Sequence, residues 1–245
     1  MWTLAKRELR LFFSQLTFYL VVGGYLLITA LLLWFFDTHF NLLNKGFADF
    51  NPFFELSPLL FLFLIPSLSM RTFSEEFTQG TFELLLTKPL GPYQIFGGKL
   101  IGVCLILGIA LAPTLFHAVA LEGILQEGSQ LDWAVLASSY GALILLALVF
   151  ATTSICASLL FQSQVASFLV GLLGCFMHLY FWSSLADFSM NIQGYKLLNS
   201  LGAGVHYANL SRGIIAWEDL VYFLGMSLTF FLVGIQLIQK KKNCK

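Results

Sequence analysis

The stretch GPYQIFGGKL, Gly91–Leu100, is where a phosphate-binding loop would first be sought in this chain. Such a loop needs a glycine five positions before the Gly-Lys pair and a serine or threonine after the lysine, so that backbone N–H groups and a hydroxyl surround phosphate and Mg²⁺. Tyr93 and Leu100 occupy those positions, and the pattern fails. Lys99 then reads as an anchor at a membrane interface, and the chain has no nucleotide site of its own. His39, His117, His178 and His206 are scattered without an i,i+4 pair, which argues against a helical metal site. His117 and His178 lie in apolar runs, where a hydrogen-bonded core role facing protein is expected over a proton relay. Cys104, Cys156, Cys175 and Cys244 show no CxxC spacing, so neither a disulfide framework nor a zinc site is expected. What remains is one polar cluster, SEEFTQGTFELLLTK, Ser74–Lys88, set between two hydrophobic runs.

The elements that must position this cluster are dictated by composition. The chain is 58% hydrophobic and 11% charged, too little charge to cover a soluble surface. Crossing the hydrocarbon takes about 20 apolar residues. Six windows qualify, at about 16–36, 53–70, 97–121, 133–161, 164–186 and 219–239. Pro58 and Pro66 fall in the second, where neighbours must satisfy the freed carbonyls, and a kink is expected near Pro66. Pro113 should bend the third. The basic start followed by a full-length span without an A-x-A-like site is read as a permanent helix, not a cleaved signal.

Lys and Arg in the short connections set the orientation. With a cytoplasmic N-terminus, the inside set is Lys6, Arg7, Arg10, Arg71, Lys88, Lys99, Lys240, Lys241, Lys242 and Lys245. The outside set is Lys45, Lys196 and Arg212; these ten and three account for all 13 Lys and Arg. Both termini are therefore expected inside, with Ser74–Lys88 facing the cytoplasm. A net charge of +0 hides this asymmetry and says nothing about nucleic acid, which is not among the expected partners. The spans lack central acids or bases, which speaks against a self-energised proton or sodium carrier. An integral membrane enzyme would need polar side chains clustered at one depth, and an ion channel a polar ring. Neither is visible.

Residues 1–15 and the following Leu16 form an amphipathic stretch, with Trp2, Ala5, Leu9, Phe12, Phe13 and Leu16 on one arc and Lys6, Arg7 and Arg10 on the next. They suit an interfacial helix or a simple positive anchor. Residues 188–218 hold two apolar pieces too short to span, broken by Gly202 and Gly204. They read as short outer-leaflet helices or as a surface loop. Gly98-x-x-x-Gly102 permits close helix packing.

On a helical wheel, Phe73, Phe77 and Leu84 share one face toward the bundle or lipid, with Glu75, Glu76, Gln79 and Glu83 opposite. Phe82 and Leu86 fall beside the acids. Ser74 has the chemistry of an N-cap, Gly80 weakens the middle, and Lys88-Pro89 ends the helix. Such a helix could present an acidic rim around an apolar knob to a cytosolic partner, or be a solvated amphipathic loop.

MRTFSEEFTQGTFELLLTKPL, followed by GKLIG, resembles the sequence between the second and third spans of permeases of the second ABC exporter family. FADFNPFFELSPLLFLFLIPSLSMR and HYANLSRGIIAWEDLVYF are similar to the gliding-motility (GldF-type) permeases of that family. The resemblance implies an all-α polytopic membrane protein, a single permease domain over residues 1–245 in a bacterial inner membrane. It would carry six transmembrane helices, an N-terminal interfacial helix, a cytoplasmic coupling helix in residues 74–88, and short outer-leaflet helices between spans 5 and 6. It implies a second permease protomer, a GldA-like cytosolic ATPase that binds ATP and Mg, and a GldG-like auxiliary membrane protein. Glu75, Glu76, Gly80, Thr81, Glu83, Leu84 and Thr87 match the coupling segment, and Gln79, Phe82 and Leu86 join them from the wheel. No catalytic residue, cofactor or metal is implied in this chain. The work of such a subunit is substrate export or, alternatively, substrate-free force transmission to periplasmic partners.

Overall fold

The computed structural model describes residues 1–45, 49–125, 131–189 and 191–243. Cys244 lies outside the described residues, as does the middle of the 122–132 connection. Among the described residues the regular structure is helical throughout, and six helices are long and apolar enough to cross a membrane. A short helix α1 (Trp2–Phe13) precedes the first span, α2 (Leu16–Trp34). The second span joins α3 (Asn51–Ser69) to α4 (Arg71–Thr78), and α5 (Thr81–Thr87) follows it. The third joins α6 (Pro92–Leu111) and α7 (Leu115–Ile124); the fourth is α8 (Trp133–Leu160). The fifth joins α9 (Gln164–Phe176) and α10 (Trp182–Asp187). After α11 (Ile192–Ser200) and α12 (Ala203–Ser211), the sixth span is α13 (Trp217–Asn243). With no water in hydrocarbon, long helices are how such a chain satisfies its backbone.

Local chemistry sets the ends and bends. Asp132 caps α8 by accepting from the N–H groups of Ala134 and Val135 at 3.0 and 3.2 Å. Pro113 converts Ala112–Thr114 to a 3₁₀ turn, the expected bend of the third span. Residues Met177–Phe181 form a π-helical turn between α9 and α10. The second span runs helically through both prolines, and the turn falls later, at Met70, whose backbone stays in the right-handed helical region.

The fourth span is the most enclosed and forms the hub, packing against α3, α6, α9, α12 and α13. At the end of the bundle away from α1, the described residues of 188–218 include the expected short helices, α11 and α12. The break falls at Leu201-Gly202, while Gly204 lies inside α12. His206 of α12 bonds Asp219 through Nδ1 at 2.5 Å and the Ser200 carbonyl through Nε2 at 2.8 Å, which ties α11 and α12 to α13.

Pro58 has no N–H to offer the carbonyl of Phe54 one turn earlier. The buried Tyr207 hydroxyl donates to that carbonyl at 2.6 Å, and burial holds its pKa well above the usual tyrosine value. A buried acceptor stripped of its partner costs about 1–3 kcal/mol, so Tyr207→Phe is expected to destabilise by about that amount. In a Pro58→Ala background the new N–H can bond Phe54, and the same substitution should cost less. Unfolding of the four proteins in detergent measures the coupling; strictly additive costs would contradict the assignment.

The two spanning histidines are hydrogen-bonded, as expected of core residues. His117 Nδ1 accepts from Trp34 Nε1 at 3.0 Å, and buried His178 meets the Thr153 hydroxyl at 3.3 Å. Cys104, Cys156 and Cys175 are free thiols, and no metal-holding group occurs among the described residues.

Candidate functional site

The polar segment that interrupts the hydrophobic pattern sits where α1, α4, α5, the start of α6 and the end of α13 meet. It is two helices, not one. Gly80 adopts φ 66°, a left-handed conformation that side chains disfavour, and it separates α4 from α5. Ser74 is not an N-cap: it is fully buried in mid-α4, with its hydroxyl on the Met70 carbonyl. The α4 helix grows directly from the second span instead of starting afresh.

The turn at Gly80 changes which face each side chain presents. Phe82, expected on the acidic outer side, is 5% exposed and packs edge-on against Phe77 and Phe73, ring centres 4.6 and 6.0 Å away. Leu84, expected to face the bundle or lipid, is 65% exposed. Leu85 joins the buried face, Leu86 and Thr81 are half-buried, and Gln79, Glu83 and Thr87 stand outward. Lys88 takes the extended backbone that Pro89 demands, so α5 ends as expected. Thr78 fixes the tip of α4 by donating to the Ser74 carbonyl at 2.9 Å and the Gln162 carbonyl, between spans four and five, at 3.2 Å. The Lys241 ammonium lies 3.7 Å above the Phe77 ring.

Glu76 is not part of an outer rim. It is buried and shares Lys99 with Glu8, both carboxylates 3.0 Å from the ammonium. Lys99 is 1% exposed, so it is no interfacial anchor. Its ammonium also donates to the Thr72 carbonyl at 2.5 Å, and the Phe73 ring lies 4.7 Å away. Two hydrogen bonds, to Glu8 and the Thr72 carbonyl, and the ion pair with Glu76 compensate the buried cation. Arg7 completes the network on Glu76 and, at 3.4 Å, on Glu8. Glu75 is half-buried and accepts from Gln79 at 3.1 Å.

Glycines make this network possible. A Cβ on Gly98 would stand 2.8 Å from that of Leu4, and one on Gly102 would stand 2.8 Å from that of Glu8. The small-residue pair therefore seats α1 on the third span, not one span on another. Helix α1 has three faces. Leu4, Ala5, Glu8 and Phe12 are buried, Trp2 and Phe13 remain exposed, and Lys6 and Arg10 form the charged side. Glu8 is not among the residues that the sequence pattern singles out. The available signal was a lone carboxylate one turn after Leu4 on an apolar face, which requires a buried cation.

In chemical terms the site is an ion-paired junction with a short exposed helix on its rim. The described residues show no nucleophile or metal cluster there, and α5 hangs from the second span through Gly80. A comparison with curated proteins finds no match. The ABC-2 family transporter protein family matches residues 28–242, from within the first span nearly to the end of α13. With that match over most of its length and six spans in its fold, the chain belongs to the ABC-2 family of transporter proteins, as a multi-pass membrane permease subunit that works with a partner ABC ATPase.

Proposed function

We propose that this permease lies in a bacterial inner membrane with both termini cytoplasmic and receives its ATPase on the segment Ser74–Lys88. ATP and Mg are bound and turned over in that partner, a GldA-like ATPase. A GldG-like membrane protein and a second permease protomer complete a gliding-motility complex that exports a substrate or transmits force. The single observation that carries the reading is the exposed, glycine-hinged α5 at the tip of a helix continuous with the second span. A push on α5 reaches the second span through the Phe82 ring packed on Phe73 and Phe77.

The contact knob in this proposal is Leu84, since Phe82 is already buried within the chain. Burying a leucine side chain is worth about 1.5–3 kcal/mol. Leu84→Ala removes much of that, and a tenfold or larger loss of ATPase affinity is expected. The tagged chain and its variant would be inserted, checked for monodispersity and titrated with the co-purifying ATPase. A correctly inserted Leu84→Asp variant that holds the ATPase as tightly as the parent overturns the docking assignment.

A further inference from the structure

The ring of His206 sits where α11, α12 and α13 meet. Its Nδ1 faces the Asp219 carboxylate at 2.5 Å, and its Nε2 faces the Ser200 carbonyl at 2.8 Å. Ser200 is the last residue of α11, so that carbonyl belongs to the negative end of a helix. A neutral imidazole has one N–H and one bare nitrogen. Only the doubly protonated ring donates to both acceptors; in either neutral tautomer a lone pair points at an oxygen.

The surroundings favour the charged ring as well. Asp219 is 2% exposed, and its Oδ2 has no hydrogen-bond partner among the described residues. His206 is its only ionisable partner there, and a buried carboxylate left without a cation is costly. The Tyr222 ring stacks on the imidazole with centres 4.2 Å apart, a face that attracts a cation. Of the other titratable groups on elements packed against α12 at this end of the bundle, none bonds the ring. They are Tyr140 of α8, His178 and Tyr180 of the π-helical turn, Tyr195 and Lys196 of α11, and Glu218 of α13. Tyr207 and Arg212 of α12 itself do not bond it either.

Helix α11 depends on this ring because it has no buried side chain of its own. Two bonds tie its C-terminal end to α12 and α13. One is His206 on the Ser200 carbonyl, and the other is the Tyr222 hydroxyl on the Leu201 carbonyl at 2.7 Å.

We infer that His206 is a proton-operated clasp, whose imidazolium ties the end of α11 to α13 and whose deprotonation lets that end go. The proton that stays with the neutral ring is the one on Nδ1, held by the carboxylate. The bond lost is therefore the one to Ser200, and α12 keeps its tie to α13 while α11 loosens. The imidazole is 12% exposed, which gives solvent protons access to it. The clasp is closed at low pH and opens as the pH rises through the titration of the ring. With both termini cytoplasmic, as proposed above, it would answer to acidity outside the cell. The chemistry itself is local and stands apart from ATPase docking.

Hydrogen exchange of the purified full chain tests it between about pH 5.5 and pH 9, a range that spans imidazole titration. Rates are read as protection factors, so that the intrinsic pH dependence of exchange cancels. Protection over residues 192–201 should fall about tenfold or more across that range, the worth of one charged hydrogen bond. Residues 203–211 should change less and α8 not at all. In His206→Gln the step should vanish. A second measurement needs no substitution. In the parent chain labelled with nitrogen-15 histidine, one ring should carry both protons at the low pH and lose the Nε2 proton in step with the fall in protection. A solvated histidine keeps its Nε2 proton instead, so exposed His39 cannot imitate that signal. Constant protection, a step that persists in His206→Gln, or no histidine that keeps Nδ1–H as α11 loosens would each overturn the inference.

Discussion

Lys99→Met is expected to cost the fold about 3 kcal/mol, the lower end of what removing one partner of a buried ion pair does. The methionine keeps most of the stem volume, so packing is not the main loss. The loss is electrostatic. Glu8 and Glu76 would both remain buried beside each other, with only the half-exposed Arg7 left between them. Arg7 is why the upper end of the range is not expected. The Thr72 carbonyl loses its donor as well. Adding Glu8→Gln and Glu76→Gln to Lys99→Met removes the stranded charges and should recover much of the stability, a strong non-additivity between contacting residues. Unfolding in detergent provides the totals, and tryptic cleavage after Arg10 reports release of α1. A triple variant no more stable than Lys99→Met alone would show that the lysine acts through packing.

The second large effect is local. Phe82→Ala should cost about 3–5 kcal/mol at its own site, as truncating a buried phenylalanine does, yet shift the global transition little. Helix α5 is seven residues long, and Phe82 and Leu85 are its two buried side chains. Nothing that short holds its helix without tertiary contacts. Once the ring leaves Phe73 and Phe77, α5 opens on its Gly80 hinge while the spans stay assembled. Amide exchange over residues 81–87 should therefore accelerate by two to three orders of magnitude, about tenfold for each 1.4 kcal/mol, with exchange in α3 and α8 unchanged. Loss of the global transition in step with α5 would mean that this segment is part of the core instead of an appendage to it.

These two predictions mark where the sequence could and could not be read. Six spans are legible because twenty apolar residues have few alternatives in water or in lipid, and Pro113 and Lys88-Pro89 act on their own neighbours. The short helices at 192–211 follow from apolar pieces too brief to span. The face of α5 was not legible, because a wheel assumes unbroken helical phase and Gly80 breaks it. Phe82 and Leu84 exchange roles across that one residue. Glu76 and Lys99 are 23 positions apart and Glu8 lies further still. Each alone resembles an ordinary interfacial charge. Only the close approach of α1 at Gly98 and Gly102, a property of packing and not of local pattern, brings the three together.

The continuity of α3 and α4 has a mechanical meaning. Met70 keeps helical dihedrals, and its N–H bonds the Pro66 carbonyl at 2.8 Å, so the rod is not cut at the turn. Among its several ties is the bond from Lys99 to the Thr72 carbonyl. From that bond to Thr78 is about 9 Å of helix, and back to Asn51 about 31 Å. Were the rod to pivot at Thr72, its arms would be unequal, and a displacement of the short arm would reappear about three and a half times larger at the other end. In that case a sideways shift of about 1 Å at Thr78 would move Asn51 by about 3 Å, and the Tyr207 bond to the Phe54 carbonyl would resist it.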